Sequence, residues 1–326
     1  MGEEEHKPIV PSKRGLTYAK RKFEPKSARK GEPEFFMDEG MRRLSTPWSV
    51  ASIRAGQIDP LSLPAGVILD AAAGSGIQLI AFSKILKRPA LGIELDEDIA
   101  KLCAANMQLS SDGEVQRSLD RVLVGDGGSA ESAMTCYWTS LRDAGTRAHP
   151  PVAMLHLDPA RPRDAQNHSL EEMEPDIKTV LKSWSSHLQI GPNGPAVLLD
   201  LSPRLDAVQR AMVDGILETT FPGSSWTWEW LSRGGGRVDR LSVWVGSLSS
   251  SSSNRCMRVG RKNIIASIEG DSSGAVESSF NSVMEIPRGA YLTIVDPVLI
   301  ESGLQNSWHD MAVGSGSGSS WVRIEG

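Results

Sequence analysis

The segment Val67–Asp96, VILDAAAGSGIQLIAFSKILKRPALGIELD, constrains the fold more than any other part of this chain. Val67-Ile68-Leu69 is a short apolar run ending in Asp70. Ala71–Gly76 contains only small residues, and Ile77–Phe82 opens a helical pattern. Ala90–Ile93 is a second apolar run, closing on Glu94 and Asp96. Short apolar runs bounded by turn residues predict buried strands, and strand, turn, helix and strand in that order make a βαβ unit. The chain is therefore expected to be α/β with a parallel sheet. A small-residue loop at the first strand tip lets a ligand approach the backbone, and an acid at the second can accept from ribose hydroxyls. Together they form a nucleoside-binding half-site.

The glycine spacing separates two kinds of nucleoside. A dinucleotide fingerprint counted from Gly74 needs a third small residue for helix–strand packing, and Leu79 stands there. The alternative is an acid at the strand end followed by Gly-x-Gly, and Asp70, Gly74 and Gly76 meet it. This arrangement resembles the first motif of class I S-adenosylmethionine-dependent methyltransferases, with Ala72 where that motif usually has glycine. The resemblance makes Asp70, Ala72, Gly74, Gly76 and Glu94 candidate residues for binding S-adenosylmethionine. Val122–Val124 is a third predicted strand, and Asp126 at its tip is placed to meet the adenine amino group. A simple turn aspartate would have the same sequence context.

With 326 residues, there is room for one α/β domain and a smaller unit. Cys103, Cys136 and Cys256 are far apart and odd in number, which points to a reducing cytoplasm rather than a disulfide framework. No apolar run reaches the roughly 18 residues of a membrane span, and the N-terminus carries no signal-peptide core. The cysteines show no metal-ligand spacing, so no metal is expected. Net charge is −5, yet Lys13, Arg14, Lys20, Arg21, Lys22, Lys26, Arg29 and Lys30 face only Glu24 between them. A basic arm on an acidic protein is suited to a polyanion, RNA first, because phosphate contacts require no fold. A solubilising tail would have the same composition. Residues 1–34 are polar and proline-punctuated and are expected to be disordered.

Past Phe35, two short helices are expected around a break at Ser45–Pro47, with Thr46 as N-cap and Pro47 at the first helical position. Small helices in this position cover nucleoside sites as lids, and Arg54 lies near the middle of the second. Val152–Leu157 is a fourth buried strand followed by Asp158-Pro159-Ala160-Arg161, and Ala196–Leu201 is a fifth. A strand ending in Asp-Pro at the carboxyl edge lies where ligands sit in open α/β sheets. In Ser225–Leu231, Trp226, Trp228 and Trp230 share one face, as a base-stacking surface or as a strand packed under a helix. Arg240–Gly246 returns as the second strand of a hairpin. Ser247–Ser253 reads as a linker, and strands at Arg255–Gly260, Asn263–Glu269 and Tyr291–Val295 with a helix over Asp296–Met311 make a small terminal unit.

The motifs STPWSVASIRAGQI, ILDAAAGSGIQ, GIELD, HLDPARP, LLDLSP, LSRGGGRVDRLSVWVG and YLTIVDPVLIESGL together resemble class I methyltransferases carrying a THUMP-like C-terminal domain. They are also similar to the trimethylguanosine-synthase-like group of RNA methyltransferases. The resemblance implies a Rossmann-like seven-stranded sheet with an antiparallel edge hairpin, plus a small α+β C-terminal domain. The implied divisions are a basic arm (1–34), a methyltransferase domain with a helical lid (35–247) and a THUMP-like unit (254–326). It further implies an RNA methyltransferase in which Asp158 and the Pro159 carbonyl accept amine protons of a base. Ala160 and Arg161 replace the proline and aromatic of amine-directed relatives. Arg161 is left to stack on a base, pair with a phosphate or form a structural ion pair. Two other readings stay open: a cofactor-binding, catalytically weak RNA-binding module, and a nicotinamide oxidoreductase. The strand before Ser202 ends without a cysteine, which disfavours covalent attack on a pyrimidine carbon.

Overall fold

A computed structural model describes residues 5–27, 30–111, 118–160, 169–271, 281–283, 295–305, 307–308, 311 and 322–324. The chain begins with strand β1 (Lys7–Ile9) and helices α1 (Lys13–Lys22), α2 (Glu39–Leu44) and α3 (Trp48–Ala55). An alternating series follows: β2 (Val67–Asp70), α4 (Ile77–Leu86), β3 (Ala90–Glu94), α5 (Glu97–Leu109), β4 (Arg121–Val124), α6 (Ala130–Asp143) and β5 (Val152–Leu157). After a 3-10 turn at Leu170–Glu172 come α7 (Ile177–Trp184), the two-residue β6 (Ile190–Gly191), β7 (Gly194–Leu201) and α8 (Ala207–Thr220). The hairpin β8 (Trp226–Ser232) and β9 (Arg240–Gly246) leads into β10 (Asn254–Val259) and β11 (Ile264–Gly270). Beyond these lie β12 (Asn281–Val283), α9 (Pro297–Glu301) and β13 (Val322–Ile324).

The main sheet runs β1-β4-β3-β2-β5-β7-β9-β8-β10-β11, with β6 paired to β7. Strands β4, β3, β2, β5 and β7 are mutually parallel, and β9 is antiparallel to both β7 and β8. This is the expected seven-stranded Rossmann-like sheet with its antiparallel edge hairpin. Its order reverses about β2, with β3 on one side and β5 on the other, so the switch-point crevice opens at the carboxyl ends of β2 and β5. Alternate residues feed two cores. Leu69 and Leu155 pack with α6, α7 and α8, while Ile68 and Met154 pack with α3, α4 and α5.

The sheet is longer than the sequence reading foresaw, at both edges. The arm expected to be disordered carries β1, which pairs antiparallel with β4, Lys7 opposite Val124 through Ile9 opposite Val122. Helix α1 buries Ala19 beside Phe36, Leu102 and Ala105 and keeps Lys13, Arg14, Lys20, Arg21 and Lys22 exposed. One buried alanine flanked by half-buried Leu16 and Phe23 was enough for docking on α5, and a mean composition hides so narrow an apolar stripe. At the other edge, β10 pairs in parallel with β8, Asn254 opposite Trp228 through Arg258 opposite Ser232. Residues 254–270 therefore extend the main sheet and are not a free-standing terminal unit. Ser247–Ser253 is a packed turn in which Leu248 is buried and Ser250 donates its N–H to Thr227 Oγ1 at 2.9 Å. The strand expected at Tyr291–Val295 lies almost wholly outside the described residues, whereas the helix expected over Asp296–Met311 is broken: α9 stops at Glu301 and a turn at Ser302-Gly303 follows. Helix α9 and the pair β12–β13 are the regular elements described past β11.

The tryptophan face of β8 is packed. Trp228 and Trp230 are buried, and the indole N–H groups of Trp226 and Trp228 both donate to Asp214 Oδ1 on α8, at 2.8 and 2.9 Å. No helix among the described residues is long and apolar enough to cross a membrane.

Because β1 and α1 are built into the fold, removing residues 1–22 will destabilise the protein. The loss should be about 2 kcal/mol or more, the scale of uncovering one or two apolar side chains. Urea unfolding of the truncated and full chains checks this, and equal midpoints would return the segment to the status of a tail.

Candidate active site

Four strand tips, those of β2, β3, β4 and β5, carry the acids that the sequence singled out. The loop Ala71–Gly76 joins β2 to α4, and Gly76 caps the helix in the left-handed region at φ 78°. A Cβ there would sit 2.7 Å from Cys103 Sγ, so glycine is required both sterically and conformationally. Glu94, at the end of β3, accepts from Gly74 N at 2.9 Å and from Asp96 N at 3.0 Å. Burial raises the Glu94 pKa, and these backbone donors offset part of the rise. The carboxylate thus holds the loop open in a fixed shape.

Asp70 and Asp126 both have partners within the fold. Asp70 is buried; its Oδ1 accepts from Ala72 N at 3.2 Å, and its Oδ2 lies 3.0 Å from His156 Nδ1. Asp126 is exposed at the rim and closes an Asx turn, Oδ1 accepting from Gly128 N at 2.9 Å. His6 Nε2 donates to its carbonyl at 3.1 Å. The next residue, Gly127, passes so close to the first loop that a Cβ would lie 2.0 Å from Ala71 O. The turn after β4 is thereby pressed onto the loop after β2.

Beside this half-site lies a buried ionic network centred on Asp200, near the end of β7. Arg54 of α3 grips both its oxygens, Nη1 donating to Oδ2 at 2.8 Å and Nη2 to Oδ1. Arg240 Nη1 donates to Oδ2 at 2.8 Å, Gln78 Nε2 to Oδ2 at 3.1 Å and Ser242 Oγ to Oδ1 at 2.7 Å. His156 Nε2 is 3.1 Å from Oδ2. Burial pushes the Asp200 pKa up, but Arg54, Arg240 and His156 overcome it and hold the group well below the carboxylate range. For His156, burial opposes charge, yet Asp70 and Asp200 on its two sides push its pKa up to about 9. Its Nδ1 meets Asp70 as an ion pair rather than along a well-directed hydrogen bond.

Asp158 sits one step outward, at the tip of β5. Gln78 Nε2 donates to its Oδ2 at 3.0 Å and Arg240 Nη1 at 3.1 Å. The side chain keeps 36% of its exposure, so water still reaches it. Burial, together with Asp200, outweighs Arg240 and raises its pKa. Both of these contacts fall on Oδ2. Pro159 is buried, and Ala160 is pinned by paired backbone bonds to Glu174, each 2.8 Å. Arg161 lies outside the described residues.

The segment leading into α3 is tied to the same network. Thr46, expected to cap α3, instead accepts from Arg240 Nη2, and Pro47 occupies the N-cap position. Asn106 of α5 accepts from Phe36 N at 2.7 Å and donates to Phe36 O at 3.1 Å and Ser75 O at 2.9 Å, joining the lid entry to the glycine loop. Asp200, Arg240, Gln78, Thr46 and Asn106 were not candidates from sequence. One signal was present: a lone ionisable residue inside an otherwise apolar strand, as Asp200 in AVLLDL or His156 in VAMLHL, must find a partner when buried. No group of three or more His, Cys, Asp or Glu side chains among the described residues could hold a metal ion.

No protein-family model and no curated protein matches the sequence. Solved structures with a similar fold include a Listeria monocytogenes protein assigned to the class I S-adenosylmethionine-dependent methyltransferases, at 13% identity and TM-score 0.40 over 66% of this chain and 63% of that one. Human methyltransferase-like protein 13, in complex with SAH, is 16% identical at TM-score 0.38 over 66% and 84% of the two chains. The methyltransferase subunit of a Streptococcus thermophilus type I restriction-modification system is 14% identical at TM-score 0.42 over 67% and 47%. This chain thus spans less than two thirds of the length of the Listeria and Streptococcus proteins. Likeness at this level bears on neither activity nor substrate.

The raised His156 pKa fixes a pH dependence. A cation stabilised by folding contributes fully below the unfolded value near 6.5, and the contribution fades as pH rises through about 9. Unfolding free energy should therefore fall between about pH 7 and 10, by on the order of 2 kcal/mol. In His156→Phe the protein should be less stable throughout, because Asp70 loses its partner, and the slope over that range should flatten. Urea titrations at several pH values measure both.

Proposed function

We propose that this chain is an S-adenosylmethionine-dependent methyltransferase acting on RNA, with an amine nitrogen of a base as acceptor. The observation that carries the reading is a pair of half-sites sharing one crevice. The loop Asp70–Gly76, braced by Glu94, opens at the switch point, and Asp158 stands on the next strand with one carboxylate oxygen fixed by Gln78 and Arg240. When bound, S-adenosylmethionine supplies an electrophilic methyl group on a sulfonium. Glu94 is placed for ribose hydroxyls, Asp126 for the rim of the adenine, and Gly74 and Gly76 let the donor lie against backbone.

Methyl transfer is an in-line displacement, so the protein's contribution is positioning, which is able to supply about 7–11 kcal/mol in favourable cases. Asp158 Oδ1 accepts a hydrogen bond from one amine N–H and the Pro159 carbonyl from the other, which aims the nitrogen lone pair; after the N–C bond forms and the C–S bond breaks, the one surplus proton passes to the Asp158 carboxylate and on to water. With its pKa raised, the Asp158 carboxylate is also a better proton acceptor than an ordinary aspartate. The exposed cations of α1 supply phosphate contacts. The second reading, a donor-binding module with weak catalysis, draws on Arg240, which already neutralises Asp158.

Two measurements test this. Glu94→Ala should weaken donor binding in calorimetry by about 1–3 kcal/mol, whereas tight NAD binding without a response to S-adenosylmethionine would discard the assignment. Asp158→Ala should lower single-turnover transfer to RNA by about 10²-fold or more at nearly unchanged donor affinity. Full activity in that variant would place the acceptor elsewhere, and wild-type protein that binds the donor without turnover would favour the second reading.

A further inference from the structure

A groove of about 1010 Å³ lies on the far side of α3 from Arg54, closed by the Lys30–Glu32 segment and by the turn between β10 and β11. Three cations stand along it, Lys30, Arg261 and Lys262, against the single carboxylate of Glu32. Trp48 contributes an aromatic wall. Inside, Glu32 Oε2, Ser52 Oγ and Gln57 Nε2 are shut off from water and have no hydrogen-bond partner among the described residues. Buried polar atoms without partners cost free energy unless something satisfies them. Their three residues line one groove, and a small rotation of each side chain would present these atoms to a polar ligand there.

The cations and the buried atoms specify what that ligand is. Lys30, Arg261 and Lys262 suit phosphates, whereas an amide, a hydroxyl and a carboxylate suit the edge of a base. Base edges reach such recessed atoms only when the base is unstacked, which selects a single strand over a duplex. The groove is also connected to the acceptor site. Trp48 begins α3 two residues after Thr46, whose hydroxyl takes a hydrogen bond from the same Arg240 that holds Asp158. Helix α3 contributes to both sides, Arg54 to the Asp200 network and Ser49, Ser52 and Ile53 to the groove.

We propose that this groove binds the single-stranded nucleic-acid segment flanking the methylated nucleotide, with phosphates on Lys30, Arg261 and Lys262 and one base edge on Gln57, Ser52 and Glu32. The proposal rests on the nucleic-acid methyltransferase reading and specifies how that substrate is held. Recognition is then split: the crevice handles the reacting base and the groove its neighbour. Since α3 carries Arg54 into the network and Ser52 onto the groove, with Gln57 just past its C-cap, filling the groove would also steady the helix that holds Asp200.

The test uses the full chain and labelled single-stranded RNA, single-stranded DNA and duplex RNA in anisotropy titrations over a salt series. Calorimetry with S-adenosylmethionine runs in parallel. The double substitution Arg261→Glu and Lys262→Glu changes two exposed turn residues outside the proposed catalytic and donor sites. It should weaken single-strand binding about tenfold or more and reduce the salt slope by about 1.4, two phosphates at roughly 0.7 each. Donor affinity should not change. Gln57→Met, which keeps the side-chain length and removes the amide, should weaken binding several-fold without altering the slope. Losses on both single strands support shared phosphate-and-base recognition, and loss on RNA alone assigns the ribose as a further determinant. Unchanged single-strand binding in the double variant, or an equal loss on duplex RNA, would overturn the groove as this site. Wild-type protein that binds no donor but loses RNA in these variants would sink the methyltransferase reading and leave the groove standing.

Discussion

A carboxylate with no exposure, Asp200, imposes the tightest constraint on this structure. An ion taken from water into a protein interior must be compensated by charge and hydrogen bonds together, or it neutralises. Here compensation comes from five residues on four elements: Arg54 on α3, Gln78 on α4, His156 on β5, and Arg240 and Ser242 on β9. Each must arrive with its side chain aimed at the same point. The crossing of the lid helix over the sheet, the register of the edge hairpin and the rotation of α4 are therefore mutually determined. Removing one partner of such a buried group commonly costs about 3–5 kcal/mol.

The network continues along the sheet in register. Asp200 stands opposite Ser242, Ser242 opposite Glu229, Glu229 opposite Arg255, and Arg255 opposite Glu269, so one polar row crosses five strands. Arg255 Nε donates to Glu229 Oε2 at 2.7 Å. Trp244 lies between two guanidiniums, 5.6 Å from Arg54 and 4.9 Å from Arg255, where cation–π attraction offsets part of their desolvation. The added strand β10 is thus linked to the candidate site through side chains, which accounts for its pairing with the sheet instead of folding apart.

In the other direction the row reaches the glycine loop through His156 and Asp70. The proposed acceptor carboxylate and the glycine loop are then two ends of one chain of charges, and each is held by groups that also hold the other. A crevice built this way is preorganised, since its polar groups are already oriented by partners in the fold.

Local pattern alone carried a great deal of this. The run VILDAAAGSGIQLI specifies strand, loop and helix because apolar periodicity and glycine placement act over a few residues, and the five parallel strands and the edge hairpin were legible for the same reason. Gly74, Gly76, Glu94 and Asp158 were found at the crevice because an acid or glycine at a strand tip has only one place to be in an open sheet. Tertiary structure decided the rest. Arg54 and Asp200 are 146 residues apart, and no spacing announces that pair, because it depends on where a helix crosses and which strand lies beneath it. The same holds for β1 on β4 and β10 on β8: a strand of ordinary composition joins a sheet edge only because unpaired backbone groups are waiting there. The sequence determined the elements and the chemistry at their tips, and the non-local need to pair every buried charge and edge decided how they close on one another.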